Sequence, residues 1–152
     1  CWYDSLSEFH TIRLHGPWAA KVLDSQDRCD AAAVETRHSV PSDWKDWLGV
    51  SFRGRVEYRR RFGLPTQLEP DQDVWLVFEA VDFEASFALN EIELGTMRLG
   101  DDPFRVEISS QLQQSNHLKV IIDLPLEVDR GERNSVAGGL IGSVRLEIAE
   151  SL

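Results

Sequence analysis

The sequence predicts an all-β fold, an antiparallel two-sheet β-sandwich, and three observations carry the all-β part of that expectation. Apolar and polar residues alternate over short runs from Ile12 onward. Gly, Pro, Asn and Asp interrupt those runs at intervals of about ten residues, the spacing of short strands joined by turns. No segment carries a sustained apolar stripe at helical spacing.

Strand alternation puts every second side chain on one face. Val74, Leu76, Phe78 and Ala80 share such a face, as do Phe104, Val106 and Ile108; Leu118, Val120 and Ile122; and Val144, Leu146 and Ile148 near the end. Each apolar face needs an apolar partner, and closely spaced amphipathic strands favour antiparallel pairing over βαβ crossovers, which selects two packed sheets. The best helical segment is Ser25 to Arg37, where Asp and Ala cluster, and a short turn is expected around Ser109 to Gln114. The stretch from Asp24 to Pro41 is the least patterned and reads as a loop with one turn of helix.

A chain of 152 residues can bury one core without disulfides or metals, and no repeat or linker divides it, so one domain over residues 1–152 is expected. Its 42% hydrophobic and 28% charged residues are ordinary globular usage, which gives disorder or a coiled coil no support. A formal charge of −10, with Arg59, Arg60 and Arg61 as the only basic run, argues against nucleic acid. No run reaches the roughly 18 apolar residues of a membrane helix. The first residue is Cys1 rather than Met, which reads as a processed or excised chain; a lipid-bearing Cys1 lacks a polar tether, because Trp2 and Tyr3 follow at once. Secreted or periplasmic placement stays open, as does a pairing of Cys1 with Cys29.

Several segments then go beyond a generic sandwich. They are Gly16-Pro17-Trp18; Val40-Pro41-Ser42-Asp43-Trp44; FRGRVEYRRRFGLP from Phe52 to Pro65; VWLVFEAVDFEASFALNEIELGT from Val74 to Thr96; PFRVEISSQL from Pro103; and HLKVIIDLP from His117. In this order they resemble the sugar-binding N-terminal domain of glycoside hydrolase family 2, of the β-galactosidase, β-glucuronidase and β-mannosidase type, over about Leu14 to Ile148. The resemblance implies a galactose-binding-like jelly roll, a non-catalytic role and carbohydrate as the ligand class. It also has departures. Asn90-Glu91 stands where family members often have Asn-Gly, and Gly142-Ser143 where many carry Arg-Asp; the second departure weakens the expectation of docking to a catalytic barrel.

An Asn-Glu dipeptide is also how family 2 barrels present their general acid, but here Asn90-Glu91 falls in a turn between short strands. Glycoside hydrolysis needs two carboxylates about 5 to 9.5 Å apart, and nothing in the sequence sets a second opposite Glu91, so the chain is not expected to be an enzyme by itself. An aromatic plane suits the CH face of a sugar, with polar neighbours for the hydroxyls. Trp47, beside Asp43, Lys45, Asp46 and Gly49, is the foremost candidate for such a plane; Trp44 is a second, with core packing as its competing role, and Trp75 reads as core. Arg53 and the Asp82-Phe83-Glu84 turn are the expected polar companions, against the plainer reading of a solvated turn.

Arg59 and Arg61 share a strand face with Glu57, for which cross-strand ion pairing is the expected role and an anion site the lesser one. Asp24, Asp27 and Asp30 could supply a structural calcium site, although their spacing is not that of an EF-hand loop. His10, His15, His38 and His117 show no zinc-ligand spacing, and Gly138 to Gly142 lacks the strand, turn and helix order of a phosphate loop. No cofactor is expected. A sandwich that packs against a neighbouring domain or a second copy, with no sugar bound, is the competing function.

Overall fold

The computed structural model describes residues 9–25, 35–41, 43–48, 54–65, 68–125 and 139–150. Within them the chain forms strands β1 (Phe9–Arg13), β2 (Trp18–Ser25), β3 (Thr36–His38), β4 (Gly54–Gly63), β5 (Gln72–Phe78), β6 (Glu84–Leu89), β7 (Ile92–Arg98), β8 (Phe104–Glu107), β9 (Ser115–Leu124) and β10 (Val144–Glu150). A four-stranded sheet in the order β1-β10-β5-β8 faces a six-stranded sheet in the order β3-β2-β4-β9-β6-β7. Each neighbouring pair of strands is antiparallel.

Alternation decides which side of each strand is buried. In β4, Val56, Tyr58 and Phe62 point inward while Arg55, Glu57, Arg59 and Arg61 point out. In β9, Leu118, Val120, Ile122 and Leu124 are buried and alternate with the outward-facing His117, Lys119, Ile121 and Asp123. The opposite sheet contributes Val74, Leu76, Phe78, Val144, Leu146 and Ile148. The two layers lock at Phe78 and Phe87, whose rings stack with centroids 3.9 Å apart and planes 6° from parallel, with Phe104 tilted against Phe87 at 5.0 Å. Phe78 and Phe87, both fully buried, each contribute about 1.5–3 kcal/mol through burial.

Local expectations are corrected or refined at Thr36–His38, at Ser109–Gln111 and at Trp75. Thr36–His38 is an edge strand on β2 rather than loop or helix, because Trp18, Ala19 and Ala20 offer it a free strand edge. A single helical turn at Lys45–Leu48 begins just after Trp44. The turn expected from Ser109 to Gln114 is a 3-10 segment over Ser109–Gln111. Trp75 is not core. It lies half-buried on the outer face of β5, because inward-facing Val74 and Leu76 flank it.

Among the described residues no helix is long and apolar enough to cross a membrane. Nor does any group of three or more His, Cys, Asp and Glu stand where it could hold a metal ion, again among the described residues. Asp27 and Asp30 of the calcium expectation lie outside them, with Cys1, Cys29 and Arg53.

Candidate functional site

The aromatic and acidic residues singled out from sequence do not converge on one surface. Trp44 is 2% exposed and Asp82 0%, and they meet in the interior at Gly139. The Asp82 N–H donates to the Gly139 carbonyl at 3.0 Å. A Cβ on Gly139 would fall 2.3 Å from the Tyr58 Oη and 3.2 Å from Trp44 Cε3, and its φ is +86°, so only glycine fits. Trp47 sits on the helical turn, half-buried, stacked on His38 at 4.3 Å with planes 22° apart. Its Nε1 is buried without a hydrogen-bond partner among the described residues. His38 Nε2 and Thr36 Oγ1 lie 2.7 Å apart, and burial pushes the His38 pKa below its ordinary value. Phe83 is half-buried with φ +44°, and Glu84 pairs with Arg98 at 2.8 Å at the open end of the β6-β7 hairpin.

A concavity of about 920 Å³ lies instead on the outer face of the six-stranded sheet. Register builds it. Arg37 of β3 stands opposite Ala19 of β2, Ala19 opposite Arg59 of β4, Arg59 opposite Lys119 of β9, and Lys119 opposite Ala88 of β6. The two alanines make the row dip between longer side chains. One step along, Arg61 faces His117 across the β4-β9 pair. Arg59 is paired with Glu35 and, at 3.2 Å, with Glu57. Arg37, Arg61 and Lys119 have no ion-pair partner among the described residues. Arg60 enters the wall from the inner side, where its Nη1 donates to the Arg61 carbonyl at 2.8 Å. Its Nε is buried with no acceptor among the described residues.

The rim is fixed by two asparagines. Asn90 and Glu91 form the two-residue turn between β6 and β7, with φ +52° and +72°, the mirror-image turn that suits the twist of a hairpin. Asn90 Oδ1 accepts from the His117 N–H at 2.9 Å, and its Nδ2 donates to the Gln111 carbonyl at 3.1 Å. Asn116, fully buried, accepts from the Gln113 N–H at 2.8 Å and donates to the Phe62 carbonyl at 3.3 Å. The Asn90 turn, Gln113 and the start of β9 are thereby tied together at one edge of the concavity. Only the Asn90 turn was expected from sequence.

The outer face of the four-stranded sheet carries a second constellation. Glu147 is only 7% exposed although it points away from the core, because Arg105 at 3.1 Å and Arg145 at 2.9 Å close over it. The Arg105 guanidinium also lies 4.0 Å from the centre of the Trp75 ring, and Arg145 pairs with Glu79. A desolvated carboxylate held by two guanidiniums beside a tryptophan has the composition of an interface hot spot.

The model of the glycosyl hydrolase 2 galactose-binding domain-like family matches residues 43–144. No curated protein matches the sequence. Among solved structures, a protein of Bacteroides fragilis assigned as a β-galactosidase is 23% identical with a TM-score of 0.74, over 94% of this chain and 24% of its own. Bifidobacterium dentium β-glucuronidase, complexed with coumarin-3-O-glucuronide, is 20% identical with a TM-score of 0.73, over 94% and 30%. An FMN-binding β-glucuronidase from Faecalibacterium prausnitzii L2-6 is 20% identical with a TM-score of 0.71, over 93% and 22%. The chain therefore spans less than a third of each of these proteins, and the likeness is one of fold.

Proposed function

Because the chain belongs to the galactose-binding domain-like family of glycosyl hydrolase 2, a non-catalytic domain whose enzymes keep their catalytic domain separate, we propose that it is a carbohydrate-binding accessory domain. The saccharide occupies the concavity on the outer face of β3, β2, β4, β9 and β6. The observation that carries this reading is the lining: guanidinium, carboxylate and amide groups surround a floor of Ala19 and Ala88, offering a hydroxyl-rich ligand both donors and acceptors. Trp44 and Asp82, in the interior, take no part, and Trp47 lies against His38 rather than among the lining side chains.

A calorimetric screen of the chain against neutral and acidic oligosaccharides tests it, repeated on Ala19→Trp, which fills the floor, and on Trp47→Ala. Binding that Ala19→Trp abolishes and Trp47→Ala leaves intact is the expected result. Binding lost only in Trp47→Ala, or no binding to any saccharide, overturns it.

One observation favours a second reading, in which the domain docks on a neighbouring protein surface. Glu147 and its two arginines are desolvated around Trp75 on the four-stranded sheet, away from the concavity. On that reading no saccharide binds, and the Trp75 face is what a partner covers.

A further inference from the structure

We infer that the saccharide taken by this concavity is acidic, a chain of carboxylate-bearing uronate residues; this rests on the accessory-domain reading above. The lining contains no Trp, Tyr or Phe, so the concavity offers no aromatic plane for the CH face of a neutral sugar. What it contains is charge. Five cationic side chains and three carboxylates line it, so the concavity is locally positive on a chain whose formal charge is −10. Glu35 and Glu57 are spent on Arg59, which leaves Arg37, Arg60, Arg61 and Lys119 without an ion-pair partner among the described residues.

Like charges on adjacent strands repel, and the fold sets Arg59 directly opposite Lys119 with Arg61 two residues along. Arg37 and Arg59, on either side of Ala19, are two strand spacings apart, ~10 Å. This spread of cations matches a polymer with repeated carboxylates better than one compact anion. Guanidinium groups engage carboxylates through paired N–H donors.

The acceptors at the edges decide between a saccharide and an acidic peptide. Glu91, Asn90 and Gln113 line the rim and suit ligand hydroxyls, whereas a polycarboxylate without hydroxyls would meet Glu91 as a repelling charge. A protein partner would also need an apolar anchor. The large apolar side chains exposed among the described residues are Ile92 and Leu99, neither of which lines the concavity.

The test is calorimetric titration of the chain with oligomers of galacturonate, glucuronate and mannuronate, with the methyl ester of each, and with poly-L-glutamate. The esters keep the hydroxyls and lose the charge; the polypeptide keeps the charge and lacks the sugar. The expected result is binding of at least one uronate oligomer that weakens with added salt, is at least about tenfold weaker for its ester, and falls by about tenfold or more in Arg61→Glu/Lys119→Glu. Should that variant not fold, Arg37→Gln gives the same reading with a loss of severalfold. An ester that binds as tightly as its acid, with the charge variants unaffected, overturns the acidic class and leaves the accessory reading standing. Poly-L-glutamate binding as tightly as the best uronate overturns the saccharide in favour of an acidic polypeptide. If no saccharide of either kind binds, both fall together.

Discussion

Replacing Asn116 with alanine tests whether the rim of the concavity is held as the structure indicates. Asn116 is fully buried and takes part in four hydrogen bonds: with the Gln113 N–H at 2.8 Å, Asn90 Nδ2 at 3.1 Å, the Phe62 carbonyl at 3.3 Å and the Gln113 carbonyl at 2.8 Å. Each is worth about 1 kcal/mol net, and a buried group left without a partner costs somewhat more. Gln113 is exposed and Asn90 half-exposed, so water recovers part of the loss, and about 2–3 kcal/mol remains. For a domain of this size that lowers Tm by about 5–10 °C. Urea unfolding followed by tryptophan fluorescence, with the m-value compared between wild type and Asn116→Ala, gives the number directly. The same variant should weaken saccharide binding, because Asn90 and Gln113 would no longer be tied through Asn116 at the rim. A stability change within 0.5 kcal/mol would refute the reasoning, since buried groups could not then have lost their partners.

Glu91→Gly should raise stability by about 0.5–1 kcal/mol, because φ +72° strains a non-glycine residue; chemical denaturation checks it, and a loss of stability would contradict the turn geometry. Gly139→Ala should cost about 2 kcal/mol or more, with Tyr58 Oη 2.3 Å from the new Cβ, and circular dichroism melts would reveal an unaffected protein if the close approach is wrong. Burial lowers the His38 pKa in the folded chain, so between the folded value and the unfolded value near 6.5 the unfolded state binds more protons. The stability that neutral His38 brings is therefore full above about pH 6.5 and is lost as pH falls from there through the folded pKa. Stability measured from pH 7.5 to 5 should show a shallower decline in His38→Gln than in wild type; equal slopes would exclude His38 as a source of the dependence.

Much of the sandwich is written in the period-2 pattern. Val74, Leu76 and Phe78 read correctly as one buried face, and the same alternation, followed through, sets Trp75 on the opposite side; reading it as core let its apolar character override its position. Thr36–His38 has no alternation of its own and is a strand because Trp18, Ala19 and Ala20 template it. Burial of Asp82 was equally hidden, since an Asp-Phe-Glu run resembles a solvated turn until the Gly139 carbonyl meets its N–H. A Cβ on Gly142 would fall 2.4 Å from the Ala80 nitrogen, so this loop packs too closely for a side chain. The concavity is the least legible feature. Arg37, Arg61 and Lys119 come from three strands, and only cross-strand register brings them to one face.

Whether a saccharide seats on that face can be observed directly by titrating the isotopically labelled chain with the best-binding oligosaccharide and following backbone amide shifts. Changes clustered at Ala19, Arg37, Arg59, Arg61, His117 and Lys119 are the expected result. Shifts confined to Trp75, Arg105 and Glu147, or no shifts at saturating ligand, would contradict it.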